Sequence, residues 1–178
     1  MAARRGRERF VCEQPPYSIL VRGVENDVLP TCRRHGIGVI AWSPLAGGWL
    51  TGRYRKDAEV PETHRAQRIP ARYDMSLEGN RRKLEAADAL AKLAGDAGMS
   101  LIELALAFVL SHPAVTAPII GPRTMEQLES QLPAADRQLS DELLDQIDEI
   151  APPGVTLNPV DGGYQNPALA PAARRQPR

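Results

Sequence analysis

Residues 38–52 constrain the fold more than any other stretch of this chain. They read Gly38-Val39-Ile40-Ala41-Trp42-Ser43-Pro44-Leu45-Ala46-Gly47-Gly48-Trp49-Leu50-Thr51-Gly52. Val39, Ile40 and Ala41 are apolar without alternation, which predicts a strand covered on both faces, as in a parallel sheet. Pro44 ends that strand. Gly47, Gly48 and Gly52 then permit a tight turn in which backbone approaches a ligand closely. Trp42 falls at the strand's C-terminal end, the end at which parallel α/β folds place their ligands.

The flanking elements agree with a parallel α/β order. Phe10–Glu13 is an apolar strand candidate, broken by Gln14-Pro15-Pro16. Glu25–His35 reads as a helix that Gly36 stops in a C′ position. Residues 51–77 are long, polar and irregular, and a loop of that length is usually functional or mobile. Asn80–Ala97 is a helix with Leu84, Ala87, Ala91 and Ala94 on one face and Asp88/Lys92 as an i,i+4 pair. Ser100 and Glu103 form a capping box for the next helix, which carries Leu101, Leu104, Ala105, Phe108 and Val109 as its buried stripe and ends at His112-Pro113. Thr116–Ile120 is a third strand, and Met125–Leu132 and Ser140–Ile150 are helices, the last with Ser140 as N-cap. From Pro152 onward the Pro-, Ala- and Arg-rich remainder has no period and is expected to be mostly disordered.

Composition narrows the class. The 178 residues carry 22 basic and 22 acidic side chains, so no net field draws nucleic acid or an anionic membrane. No apolar run approaches the roughly 20 residues that span a bilayer. Met1–Arg9 has four arginines and no hydrophobic stretch, unlike a secretory signal. Cys12 and Cys32 make no disulfide framework and suit a reducing cytoplasm. Strands alternating with helices imply parallel β-α units with right-handed crossovers. Three strands cannot close a barrel and leave two open edges.

Residues 10–151 resemble the C-terminal half of an aldo-keto reductase. Four passages carry the resemblance: Gln14-Pro-Pro-Tyr17-Ser18 with Glu25 downstream, Gly38 to Gly52, Gly121-Pro-Arg-Thr-Met-Glu-Gln127-Leu, and Leu139-Ser-Asp-Glu-Leu-Leu. Trp42-Ser-Pro-Leu is similar to the branch that includes the beta subunits of voltage-gated potassium channels. The resemblance implies an α/β chain forming the sixth, seventh and eighth β-α units and the terminal helix of a (β/α)8 TIM barrel over residues 1–151, with a separate tail over 152–178. It implies NADP(H) as cofactor and reduction of a small aldehyde or ketone. In the family a Tyr proton donor, a Lys, an Asp and a His perform catalysis, all in the first half of the barrel. No passage here matches them, so no catalytic residue is assigned. Tyr17, Tyr54, Tyr73 and Tyr164 lie in other contexts, as do His35, His64 and His112.

The resemblance does assign a cofactor site. Gln14 would hydrogen-bond the nicotinamide carboxamide, since an amide both donates and accepts; its structural alternative is a turn residue before two prolines. Trp42 would stack on the nicotinamide, against the alternative of a core tryptophan. Ser43, Pro44, Leu45, Ala46 and Gly47 would run along the pyrophosphate, with Arg53 and Arg65 as basic contacts from the long loop, which resembles a lid. Gly121 and Arg123 would hold the adenosine 2′-phosphate at a helix start. Gln127 is shared between the adenine end and a capping box with Thr124. At the adenine end relatives show an acidic residue followed by Asn, where this chain has Ser130-Gln131, with Gln131 as the candidate contact.

Three readings follow. The chain is a reductase fragment, inactive alone, whose Met1 falls within the helix that precedes the sixth strand, over residues 2–9. Alternatively it is a non-catalytic NADPH-binding module that pairs through its open edges with a chain carrying the other half. A third is a structural protein that has lost the cofactor. The helix faces with Leu84, Leu101, Leu104 and Phe108 would lack their strands, so the isolated chain is expected to self-associate, aggregate or remain molten. Residues 155–164 would lie near a substrate mouth.

Overall fold

The computed structural model describes residues 3–56, 58–59, 61, 63–163 and 166–175. Tyr164 lies outside them. Three strands form a parallel sheet in the order β1 (Cys12–Glu13), β2 (Gly38–Trp42), β3 (Ala117–Ile119). The helices are α1 (Val28–His35), α2 (His64–Arg68), α3 (Glu78–Asp96), α4 (Leu101–Ser111), α5 (Met125–Glu129) and α6 (Asp141–Ile150). The register pairs Cys12 with Gly38, Glu13 with Val39, Ile40 with Ala117 and Trp42 with Ile119. This is an α/β chain whose three-stranded parallel sheet is consistent with part of a barrel.

β1 is shorter than the apolar run suggests. Pro15 and Pro16 lack N–H groups and interrupt the ladder, which resumes where Pro16 bridges Trp42. There Trp42 N–H donates to Pro15 O at 3.0 Å and Tyr17 N–H to Trp42 O at 3.2 Å. The strand also starts late: Phe10 and Val11 stay 89% and 76% exposed before it, although Val11 O still accepts from Gly38 N–H at 2.9 Å. The start of the chain is likewise less regular than expected. A three-residue 3-10 turn, Ala3–Arg5, gives way at Gly6 (φ 60°), because so short a helical segment has no face packed to stabilise it.

β2 departs from the expectation of two covered faces. Val39 and Ala41 are fully buried, in one core with Leu29 and Cys32 of α1 and Leu104, Ala105, Phe108 and Val109 of α4. Gly38, Ile40 and Trp42 alternate with them and are only half-buried. The helices therefore cover one face of the sheet and leave the other partly open. The expected exposure of helix faces is also corrected. Leu101, Leu104 and Phe108 are buried and Leu84 packs against the core. Among the described residues the exposed large apolar side chains are instead Phe10, Val11 and Ile119 at the sheet and Ile69, Leu77, Met125, Leu132 and Val155 elsewhere.

Local signals fix the helices. Gly36 caps α1 in the left-handed conformation (φ 63°, ψ 37°). Ser100 and Glu103 make both bonds of the capping box, and the side chains of Thr124 and Ser140 cap α5 and α6. The Asp88–Lys92 pair closes at 3.1 Å. In α3 the buried positions are Asn80, Lys83, Ala86, Ala87, Asp88, Leu90 and Ala94, so the stripe is turned from the expected one and contains polar residues, a lysine among them.

The segment after α6, expected to be without structure, is anchored as far as Gly162. Leu157 N–H donates to Leu20 O at 3.1 Å, and Gly154 N–H to Glu25 Oε2 at 2.9 Å. Glu25 also accepts from Tyr17 Oη and pairs with Arg22, which in turn reaches Asp148 and Ala151 O. Long-range polar partners replace the missing apolar pattern, and composition does not reveal them.

Candidate functional site

The parallel order brings three connections to one end of the sheet: Gln14 after β1, Ser43 onward after β2 and Gly121 after β3. Between the first two lies a small cleft of about 310 Å3, including its open mouth. It is lined by Pro16, Tyr17, Val21, Trp42, Ser43, Ala46, Gly47, Arg72, Tyr73 and Asp161. Most of that space is open mouth: the enclosed part is about 20 Å3, room for roughly one water and far below a small-molecule pocket.

The turn that follows Trp42 is strained. Ser43 (φ 59°) and Ala46 (φ 49°) are left-handed although neither is glycine. Each such residue costs on the order of 1–3 kcal/mol and persists only where its surroundings enforce it. Here Ala46 N–H donates to Ser43 O at 2.8 Å and Gly48 N–H to Leu45 O at 2.9 Å. Pro44 is buried beneath the turn. Gly47 (φ 70°) is required for space as well, since a Cβ there would stand 2.8 Å from Tyr73 Oη. Tyr73 Oη donates to Gly47 O at 2.9 Å, and its burial, then the neighbouring Tyr54, push its pKa up to about 12. Trp49, Tyr54 and Tyr73 stack beneath the turn, with centroids 4.2–6.1 Å apart.

The far wall is charged. Asp161 pairs with Lys83 at 2.6 Å and with Arg72 at 3.2 Å. Lys83 is fully buried, and burial lowers its pKa against the raising effect of Asp161. Two cations share one carboxylate, so this wall is net positive.

A family model, the aldo/keto reductase family, matches residues 1–152. This chain belongs to the aldo/keto reductase family. Among its relatives, the uncharacterized oxidoreductase YrpG of Bacillus subtilis (strain 168) is 42% identical over 143 residues, covering 80% of this chain and 41% of the relative. A probable voltage-gated potassium channel subunit beta of Arabidopsis thaliana is 34% identical over 154 residues, covering 79% and 43%. The L-glyceraldehyde 3-phosphate reductase of Escherichia coli O157:H7 is 34% identical over 147 residues, covering 79% and 41%. The chain thus spans about two fifths of the length of the curated relatives it matches. The resemblance drawn from four passages and the similarity to channel beta subunits are both shown.

Members of this reductase family generally use NAD(P)H, and the expected cofactor residues divide into three groups. Trp42, Ser43, Ala46 and Gly47 line the cleft, with Pro44 and Leu45 completing their turn. Arg65 stands beside that turn, its Cδ 3.9 Å from where a Gly47 Cβ would be. Gln14 is exposed at the end of β1, and Arg53 is exposed with no ion pair among the described residues. Gly121, Arg123, Gln127 and Gln131 form a separate cluster after β3. Gln127 Oε1 accepts from Arg123 N–H at 2.9 Å, and Gln131 Nε2 donates to Gln127 O at 2.8 Å. The capping box is therefore displaced by one residue. α5 has five residues, shorter than expected, so its dipole adds little and an anion here depends on the exposed Arg123 guanidinium.

Sequence reasoning did not single out Arg72, Tyr73, Lys83 or Asp161 as part of this cleft. Asp161 lies in a Pro- and Gly-rich stretch and Lys83 in a helix rich in charge, so neither pattern separates them from solvated residues. No single helix among the described residues is long and apolar enough to cross a membrane.

Proposed function

We propose that this chain provides the cofactor-holding side of an NADP(H)-dependent reductase acting on a small aldehyde or ketone. The observation that carries the reading is the strained turn directly after Trp42, which opens on a cleft at the C-terminal end of a parallel sheet. Backbone strain of this kind clusters at active sites and ligand clamps. The residues suit the group: an indole for a flat heterocycle, an exposed amide at Gln14 for a carboxamide, and Arg53, Arg65 and Arg123 for phosphates. When bound, NADPH supplies the hydride that reduces a carbonyl carbon.

Trp42 orients the ring, and the turn from Ser43 to Gly47 keeps the backbone close to the pyrophosphate. Arg123 favours the 2′-phosphorylated cofactor. The proton for the carbonyl oxygen comes from residues beyond these. Tyr17 Oη donates to Glu25 at 2.7 Å, and Tyr73 Oη is committed to Gly47 O. Burial raises the pKa of Tyr17, Tyr54 and Tyr73 alike. In this reading the chain alone is inactive, and it works in the cytoplasm with the first half of a barrel. Exposed Phe10 and Val11 on the edge of β1 favour the related reading of a module that pairs with a second chain.

Mixing this chain with a polypeptide that carries the family's Tyr, Lys, Asp and His passages tests the proposal. NADPH consumption with a small aldehyde is expected on mixing, and is expected to disappear with Trp42→Ala. Turnover by this chain alone, or turnover unaffected by that substitution, would contradict it.

A further inference from the structure

Position 83 lies on the buried face of α3, one turn before Ala86 and Ala87 and two before Leu90, where an apolar residue would pack without penalty. A lysine there must be matched by partners, because a buried charge without them is strongly destabilising. Its partners come from three separate segments. Nζ donates to Asp161 Oδ2 at 2.6 Å and to Arg72 O at 2.8 Å, and lies 4.7 Å from the ring centre of Trp49. Arg72 adds a second grip, pairing with Asp161 and donating from Nη2 to Val160 O at 3.2 Å. Asn158, also buried, donates to Asn80 Oδ1 at 2.7 Å. α3 is glycine at residue 79, where a Cβ would stand 3.0 Å from Asn158 Cβ and 3.1 Å from its Cα. Beyond these contacts the strap passes the cleft: a Cβ on Gly163 would lie 3.5 Å from Pro16 and 3.7 Å from the Trp42 ring.

We propose that Lys83 is a positioning residue that latches residues 158–163 across the cleft beside Trp42, and that this strap sets how much of the indole a ligand can reach. The proposal deepens the reading of the cleft as a cofactor site and rests on it. Lys83 touches no ligand. It joins the turn after β2, the Arg72 turn and the strap at one buried atom, so the three walls of the cleft move together. A buried ion pair that fixes register, where an apolar residue would serve packing alone, fits this role.

Hydrogen exchange of the full chain tests the latch, read at the amides of Leu157, Val160 and Asp161, with acrylamide quenching of Trp42 alongside. Two substitutions attack it differently. K83M/D161N removes the latch and leaves neither Lys83 nor Asp161 charged, with the Arg72 guanidinium keeping only its bond to Val160 O. G79A favours helix α3 but crowds Asn158. Both are expected to raise strap exchange by about tenfold or more, with quenching increased, while α4 amides keep their wild-type protection. Strap exchange at the wild-type rate in both variants, or raised only together with α4, would overturn the latch. The wild-type chain with NADPH separates the two levels. Slower strap exchange with cofactor upholds both. Indifference to NADPH, with the variants still loosening the strap, upholds the latch and overturns the cofactor reading.

Discussion

Two glycines in the turn after β2 do different work. Gly52 (φ 83°) has open space where a Cβ would go, so Gly52→Ala meets backbone strain alone. Gly47→Ala adds a clash with Tyr73 Oη. Urea denaturation is expected to show a loss of about 1 kcal/mol for the first and at least about 2 kcal/mol for the second. Equal losses would mean that Tyr73 does not pack as described. Tyr73 also makes stability depend on alkali. Its pKa is raised from 10.0 to about 12 in the folded chain, so the folded state keeps the proton that the unfolded state releases. The contribution is whole below pH 10 and is lost as pH rises toward 12, about 2–3 kcal/mol in all. Denaturant midpoints measured from pH 9 to 12 should fall in that window, and less steeply in Tyr73→Phe. At this scale the sequence reveals Trp42 and its turn, because a tryptophan before Ser-Pro and paired glycines has few structural uses. Lys83 and Asp161 stay hidden, since charge reads as solvated until 78 residues of chain are folded back.

Elements were more legible than residues where side chains announce their ends. The capping box at Ser100 and the left-handed stop at Gly36 form as their sequences imply. Ser100→Ala removes one bond of the box and leaves Glu103 N–H without its cap acceptor, and should lower stability by about 1 kcal/mol, measured by thermal or urea unfolding. Ser140→Ala should cost a similar amount at α6. Elements held by distant partners were less legible. β1 shrinks to two residues because Phe10 and Val11 lie exposed with no core to hold them, and α5 stops at Glu129 as Gln131 folds back on Gln127 O. The segment after α6 carries no periodic apolar signal, and its order comes from Asn158 and Asp161 meeting α3.

At the scale of the whole molecule, the chain covers one face of its sheet and leaves both edges and part of the other face open. Phe10 and Val11 lie on one edge and Ile119 on the other, and open apolar edges recruit further strands. Light scattering over a range of concentrations should show self-association that Phe10→Lys with Val11→Lys reduces; a monodisperse monomer at all concentrations would contradict this. The family was legible while catalysis was not, because the four passages that carry the resemblance lie within this chain and no passage matches the family's catalytic residues. The central claim is that these strand ends form a dinucleotide site, and titration of the full chain with NADPH and NADH, followed by calorimetry, tests it most directly. Saturable binding that favours NADPH, is lost in Trp42→Ala and loses its preference in Arg123→Ala is the predicted result. No saturable binding, or binding indifferent to both substitutions, would contradict the account.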